Sequence, residues 1–127
     1  MEFTGIDHFV LTVADLDATC AFYERLGAEV VTFGDDRTAL RFGDQKINLH
    51  PVDNDVDLVA AAPTPGGGDF CLLTETPIEE VRRRLREQGV EVLAGPVERT
   101  GAVGPITSVY VRDPDDNLVE VARYDGD

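Results

Sequence analysis

An internal repeat limits the folds open to this chain more than any other feature. The first half runs I-D-H-F-V-L-T-V at 6–13, a helix-like stretch into L-G-A-E-V-V at 26–31, then K-I-N-L-H at 46–50. The second half runs D-F-C-L-L-T-E at 69–75, a helix-like stretch into Q-G-V-E-V-L at 88–93, then D-N-L-V-E-V at 116–121. Laid over each other, the halves pair His8 with Asp69 in the opening strands and His50 with Glu120 near the closing ones. A repeat of this length is one supersecondary unit that cannot bury its apolar face alone. Two copies sharing a sheet are expected to point their equivalent side chains into one cavity.

Within the first copy, residues 6–13 form a β-branched apolar run bounded by Thr4-Gly5 and Ala14-Asp15, the pattern of a strand. Asp15 stands where it can cap the following helix, on which Leu16, Cys20, Tyr23 and Leu26 share a face. Gly27 ends that helix where a positive φ is needed. Strands follow over 29–33, 38–42 and 46–52, with Gly34-Asp35-Asp36 and Gly43-Asp44-Gln45 supplying the turns. Residues 53–68 break the pattern with three aspartates, Pro63, Pro65 and Gly66-Gly67-Gly68. They read as a linker and not as a phosphate loop, because no helix pattern or Lys-Ser/Thr follows the glycines.

The second copy repeats the order. A strand over 69–74 leads to Thr76-Pro77, which opens a helix with Glu79 and Glu80 in its first turn. Gly89 stops it, and strands are expected over 90–94, 108–112 and 118–123. Residues 95–105, with three glycines and two prolines, read as a long connection and a mobile loop over a site. At 127 residues the chain has the size of one domain. The expected organisation is module 1 over 5–52, a linker over 53–68 and module 2 over 69–124.

Charge narrows the partners. Twenty-five acidic against eleven basic residues leave a net charge of −14, and Lys46 is the only lysine. Binding to a nucleic-acid backbone is disfavoured, because phosphate contacts need clustered Lys and Arg. The cationic run Arg82-Arg83-Arg84 with Arg86 lies on a helix whose Ile78, Val81 and Leu85 face inward, so a solvated face accounts for it. The scattered carboxylates suit either a halophilic protein of a high-salt cytosol or ordinary solubility charge. No apolar run approaches the ~20 residues of a membrane helix. The first residues lack the basic and apolar regions of a signal peptide, so a cytoplasmic location is expected. Cys20 and Cys71 are too few for a disulfide framework and read as two buried free thiols.

The motifs I-D-H at 6–8, F-Y-x-x-L-G at 22–27, D-P-D-x-N at 113–117 and L-V-E-V at 118–121 resemble the vicinal oxygen chelate superfamily of glyoxalases, bleomycin resistance proteins and dioxygenases. Q-K-I-N-L-H at 45–50 with P-V-E-R-T-G-A-V-G-P-I-T-S at 96–108 looks closest to the glyoxalase domain-containing protein 5 subgroup. The resemblance implies an α+β fold in which two βαβββ modules form an eight-stranded, U-shaped mixed sheet around a cavity. It also implies a homodimer and a divalent metal, Mn, Fe, Ni, Co or Zn, held by ligands from the first and fourth strands of each module. His8 matches the opening ligand and Glu120 the closing one. Asp69 stands where many relatives have histidine. Asn48 aligns with the usual glutamate, while His50 lies two residues on and shares its face. The resemblance implies a metal set of His8, Asp69 and Glu120 with His50 as the fourth ligand and Asn48 facing the substrate, or with Asn48 in that fourth place, or with three protein ligands alone.

Such a cation acts as a Lewis acid toward a small oxygen-rich metabolite, and lyase or isomerase chemistry through a stabilised enolate is the expected class. Glu120 doubles as a proton-transfer base. Two alternatives stand beside it. One is a dioxygenase, and the other is a metal-free binder of drugs or metabolites.

Each candidate also has a structural reading. His8 on an apolar strand reads as a ligand or a satisfied core histidine. Glu120, between Val119 and Val121, faces either solvent or a partner. His50 beside Pro51 is a ligand or a surface histidine. Ser108 and Tyr110 share a strand face, where Ser108 lines the substrate cavity and Tyr110 either serves catalysis or packs on its own helix. Arg99 is a clamp for a carboxylate or phosphonate, or a solvated loop charge. Cys71 lies on the Asp69 face and reads as core packing. Asp116 stands where Gly is usual, so backbone strain is expected there.

Overall fold

The computed structural model describes residues 1–126. It divides into two compact units, Met1–Gly67 and the chain from Gly68 onward. Each runs in βαβββ order, which makes the fold α+β. The first unit contains β1 (His8–Val13), α1 (Leu16–Leu26), β2 (Glu29–Phe33), β3 (Arg37–Phe42) and β4 (Gln45–Pro51). The second contains β5 (Asp69–Leu73), α2 (Ile78–Glu87), β6 (Ala94–Thr100), β7 (Pro105–Arg112) and β8 (Leu118–Tyr124).

In unit 1 the sheet order is β1-β4-β3-β2. β1 runs parallel to β4, and the other neighbours are antiparallel. Parallel neighbours need a crossover, which α1 and the two hairpins supply. The β2–β3 hairpin turns through Gly34 and Asp36 at φ 54° and 61°. Asp15 caps α1 by accepting from the Ala18 amide at 3.0 Å, and Gly27 closes it at φ 105°. Leu11, Val13, Leu40, Ile47 and Leu49 share the sheet face that α1 covers with Thr19, Phe22 and Tyr23, and all are buried. Each large apolar side chain removed from water there contributes about 1.5–3 kcal/mol. The predicted helix stripe is thus rotated, because Phe22 and Thr19 go in while Leu16, Cys20 and Leu26 stay half-buried.

In unit 2 the order is β5-β8-β7-β6, with β5 parallel to β8. Val109, Val111 and Val119 are fully buried on the face that α2 covers with Ile78 and Leu85. Two expectations fail here. The strand predicted over 90–94 lies instead at Ala94–Thr100, so the supposed mobile loop is mostly β6. As the last strand of its sheet, β6 tolerates Pro96, since an edge strand need not donate every amide. Only a tight turn remains, closed by the Gly101 amide donating to the Gly104 carbonyl at 2.8 Å. Nor are the thiols buried, for Cys20 is half-buried and Cys71 exposed.

The turn between β7 and β8 sets where Glu120 falls. The Asp113 carboxylate accepts from the amides of Asp115 and Asn117 and from Asn117 Nδ2, at 2.9, 3.0 and 2.8 Å. Asn117 Oδ1 accepts from the Gly68 amide at 2.7 Å, tying the turn to the start of β5. Asp116 adopts φ 65°, the expected strain, at a cost of about 1–3 kcal/mol. None of the helices among the described residues is long and apolar enough to cross a membrane.

Candidate functional site

Side chains alternate across a strand, so each unit presents a second face that no helix covers. In unit 1 that face carries His8 on β1 and Lys46, Asn48 and His50 on β4. The register pairs His8 with Lys46, Val10 with Asn48 and Thr12 with His50. His8 and Asn48 are therefore diagonal neighbours, about 7–8 Å apart. His50 lies four residues along from the partner of His8, roughly 13 Å up the strand, too far for the two imidazoles to share a cation.

The same register corrects the repeat. Just before β1 the Asp7 carbonyl accepts from the Lys46 amide, and just before β5 the Gly68 carbonyl accepts from the Leu118 amide. His8 thus corresponds to Asp69, and the counterpart of Glu120 is Asn48. His50 matches Ala122. Asn48 is 8 % exposed, and its Oδ1 has no hydrogen-bond partner among the described residues. A buried carbonyl oxygen without a donor is costly, and it is the group an ion or a ligand would satisfy.

His8 is an exposed residue whose Nδ1 lies 2.7 Å from the Asp7 carboxylate. An ionised carboxylate only accepts, so Nδ1 is the donor, and in the neutral imidazole Nε2 then has the lone pair for a ligand. This is the way metal-binding histidines are held. Asp7 was not among the residues singled out from sequence, although an acidic residue directly before a candidate ligand was a signal available there. His50 is half-buried, and burial first and the Arg37 charge second hold its pKa below the usual histidine value.

On the open face of unit 2, Asp69, Cys71, Glu120, Ser108 and Tyr110 assemble. Cys71 and Tyr110 flank Glu120 directly on the two neighbouring strands, and Asp69 pairs with Leu118. Asp69 is a diagonal neighbour of Glu120, as His8 is of Asn48. Ser108, fully buried, donates from Oγ to Glu120 Oε2 at 2.6 Å. Arg99 lies on β6 and not in a loop. Its Nε donates to the Tyr110 hydroxyl at 3.0 Å while its guanidinium stands 5.5 Å from that ring. Tyr110 is thereby held by Arg99, and the reading of it as packed on a helix drops out. Although Cys71 is exposed as a residue, partial desolvation of its sulfur, and then the Glu120 charge, push its pKa up to about 11. That direction disfavours the thiolate, the form in which a cysteine acts as a nucleophile.

Among the described residues no group of three or more His, Cys, Asp or Glu side chains is arranged to hold a metal ion. The donor chemistry within each unit nonetheless suits a divalent cation. Unit 1 offers a carboxylate-backed imidazole beside an unpartnered amide oxygen, and unit 2 offers two carboxylates.

Residues 5–121 match the family model described as the glyoxalase/bleomycin resistance protein/dioxygenase superfamily. The chain belongs to this superfamily. Glyoxalase domain-containing protein RDO1 of Mycosarcoma maydis is 50 % identical over 120 residues, 94 % of this chain and 68 % of its own length. Virulence protein STM3117 of Salmonella typhimurium is 51 % identical over 120 residues, 94 % of this chain and 83 % of its own. The crystal structure of STM3117 superposes with a TM-score of 0.95 at 50 % identity, covering 98 % of this chain and 99 % of that one. Lactoylglutathione lyase from Agrobacterium tumefaciens, a more distant member at 27 % identity, superposes with a TM-score of 0.72 over 97 % of this chain and 96 % of its own.

Proposed function

We propose that this superfamily member is a divalent-metal-dependent, glyoxalase-like enzyme acting on a small oxygen-rich metabolite by lyase or isomerase chemistry. The observation that carries the reading is the bare Oδ1 of Asn48, buried at the position matching Glu120 and diagonal to His8. Within unit 1 the donors offered to such a cation would be His8 and Asn48, the latter in place of His50, and within unit 2 they would be Asp69 and Glu120. Bound there, a cation of the Mn, Fe, Ni, Co or Zn class supplies a Lewis acid that polarises substrate oxygens. The chain's own residues do the rest. Arg99 fixes the Tyr110 oxygen by donating to it, which leaves the phenol proton to donate to a substrate oxygen. The remaining guanidinium N–H groups of Arg99 can grip an anionic substrate group. His50, two residues along β4 from Asn48, would face the substrate. The lactoylglutathione lyase among the structural relatives favours the lyase class. The subgroup resemblance, a homodimeric state and a cytoplasmic location belong to the same proposal.

A second reading, a metal-free metabolite binder, is favoured by the Arg99–Tyr110 pair, which can hold an anion without any metal. Metal content separates the two. Protein purified without chelator should carry near-stoichiometric divalent metal, and His8→Ala and Glu120→Gln should each lose it. Equal, negligible metal in all three samples would overturn the metal reading and favour the binder.

A further inference from the structure

Among the described residues, Ser108 alone donates a hydrogen bond to the Glu120 carboxylate, and it uses only Oε2. Neither flanking side chain competes. Tyr110 Oη is engaged by Arg99, and the Cys71 thiol donates to the Leu72 carbonyl at 3.9 Å. Ser108 is itself fully buried, and its backbone is hemmed in by β6. Gly95, at φ 101°, lies so close that a Cβ there would meet the Ser108 carbonyl oxygen, with Val109 Cα at 2.9 Å. The β6–β7 register shifts between Ala94 and Val97 to allow that approach.

We propose that Ser108 is a positioning residue that locks Glu120 Oε2 and presents Oε1 as a single-oxygen metal donor. This rests on the metal reading above and changes the part assigned to Glu120. A carboxylate with one oxygen held at 2.6 Å is restricted in rotation, which suits a fixed ligand and not a group that swings to carry protons. Proton handling then falls to Tyr110 and to substrate-facing groups. Ser108 was read from sequence as facing substrate. Its burial and its partner make it a support for the ligand beside it.

The test is Mn²⁺ binding to the full chain by calorimetry, in wild type, Ser108→Ala, Ser108→Thr and Glu120→Gln, with thermal melting of each. Outer-shell partners of metal ligands are worth about 10–100-fold in affinity. Ser108→Ala should therefore weaken Mn²⁺ by at least about 10-fold, and Ser108→Thr, which keeps the hydroxyl, should recover most of that loss. A residue of merely structural importance would lower the melting temperature of Ser108→Ala and leave Mn²⁺ affinity unchanged, and that result overturns the proposal. So does a Thr variant that melts like wild type without regaining affinity. If Glu120→Gln loses Mn²⁺ while Ser108→Ala keeps it, only the role of Ser108 fails. If Glu120→Gln binds like wild type, the metal reading itself fails.

Discussion

The two units share an element order and a register, yet they finish their open faces differently. In unit 2 two of the polar groups on the open face are held by side chains, Glu120 by Ser108 and Tyr110 by Arg99. In unit 1 the matching oxygen, Asn48 Oδ1, is bare, and His8 is backed only by the exposed Asp7. Charge explains the contrast. A carboxylate drawn partly out of water gains from a donor, and Ser108 supplies one to the half-buried Glu120. An amide oxygen left bare costs about 1–3 kcal/mol, which a fold can carry. The two open faces thus differ at matching positions: Glu120 is held by a hydroxyl, whereas the neutral amide of Asn48 has a bare oxygen.

The largest effect on this contrast is expected from the glycine that lets β6 close on Ser108. Gly95→Ala adds a Cβ against backbone atoms at φ 101°, so both conformation and space oppose it. Gly27 has a similar φ of 105° but nothing within 4 Å of the added Cβ. Alanine at Gly27 should therefore cost about 1–2 kcal/mol for conformation alone. At Gly95 it should cost about 3 kcal/mol or more, since the clash adds to that strain. Urea unfolding of the two variants gives the comparison. Equal losses would mean that β6 moves away freely and that the unit 2 face is not rigidly built.

A smaller and opposite effect is expected at Asn48. Leucine is close to asparagine in size and removes the bare oxygen together with its desolvation cost. Asn48→Leu should stabilise the metal-free protein by about 1 kcal/mol, measured by urea unfolding with chelator present. The same variant should lose Mn²⁺ affinity. Ordinarily a buried polar group is kept because its partner lies within the protein, and then its removal destabilises. A destabilised Asn48→Leu would show that unit 1 is internally satisfied after all, and the comparison between the halves would break.

Much of this architecture was legible in the sequence because the repeat, the Asp15 cap and the Gly27 stop act locally. The register was not. Asn48 and His50 differ by two residues and share a face, so alternation cannot say which one stands level with Glu120. That is decided by backbone bonds from Asp7 and Gly68, residues outside the strands proper. The Gly95–Pro96 pair carried a turn signal that the edge of a sheet overrode. The face of Ser108 could be read from alternation with Val109 and Val111, but its diagonal bond to Glu120 depends on β7–β8 pairing, a tertiary fact. Exposure of Cys71 was missed for a related reason, since its face was read correctly while the helix that would cover it lies on the other side.

The smallest expected effect concerns His50, which our proposal sets apart from the metal donors. Burial and the Arg37 charge hold its folded pKa below the ordinary value of 6.5. A lowered pKa means that the unfolded chain binds the proton more readily than the folded one. The stability tied to neutral His50 is therefore fully present above 6.5 and is lost as pH falls through the folded value. His50→Gln has no proton to take up and should lack that component. Urea midpoints at about pH 7.5 and about pH 5.5 should fall further for wild type than for His50→Gln. Identical falls would mean that the imidazole is solvated like that of an unfolded chain. Unit 1 would then offer an open strand end at His50 and not the half-buried, Arg37-flanked position that sets it apart from Ala122, its counterpart in unit 2.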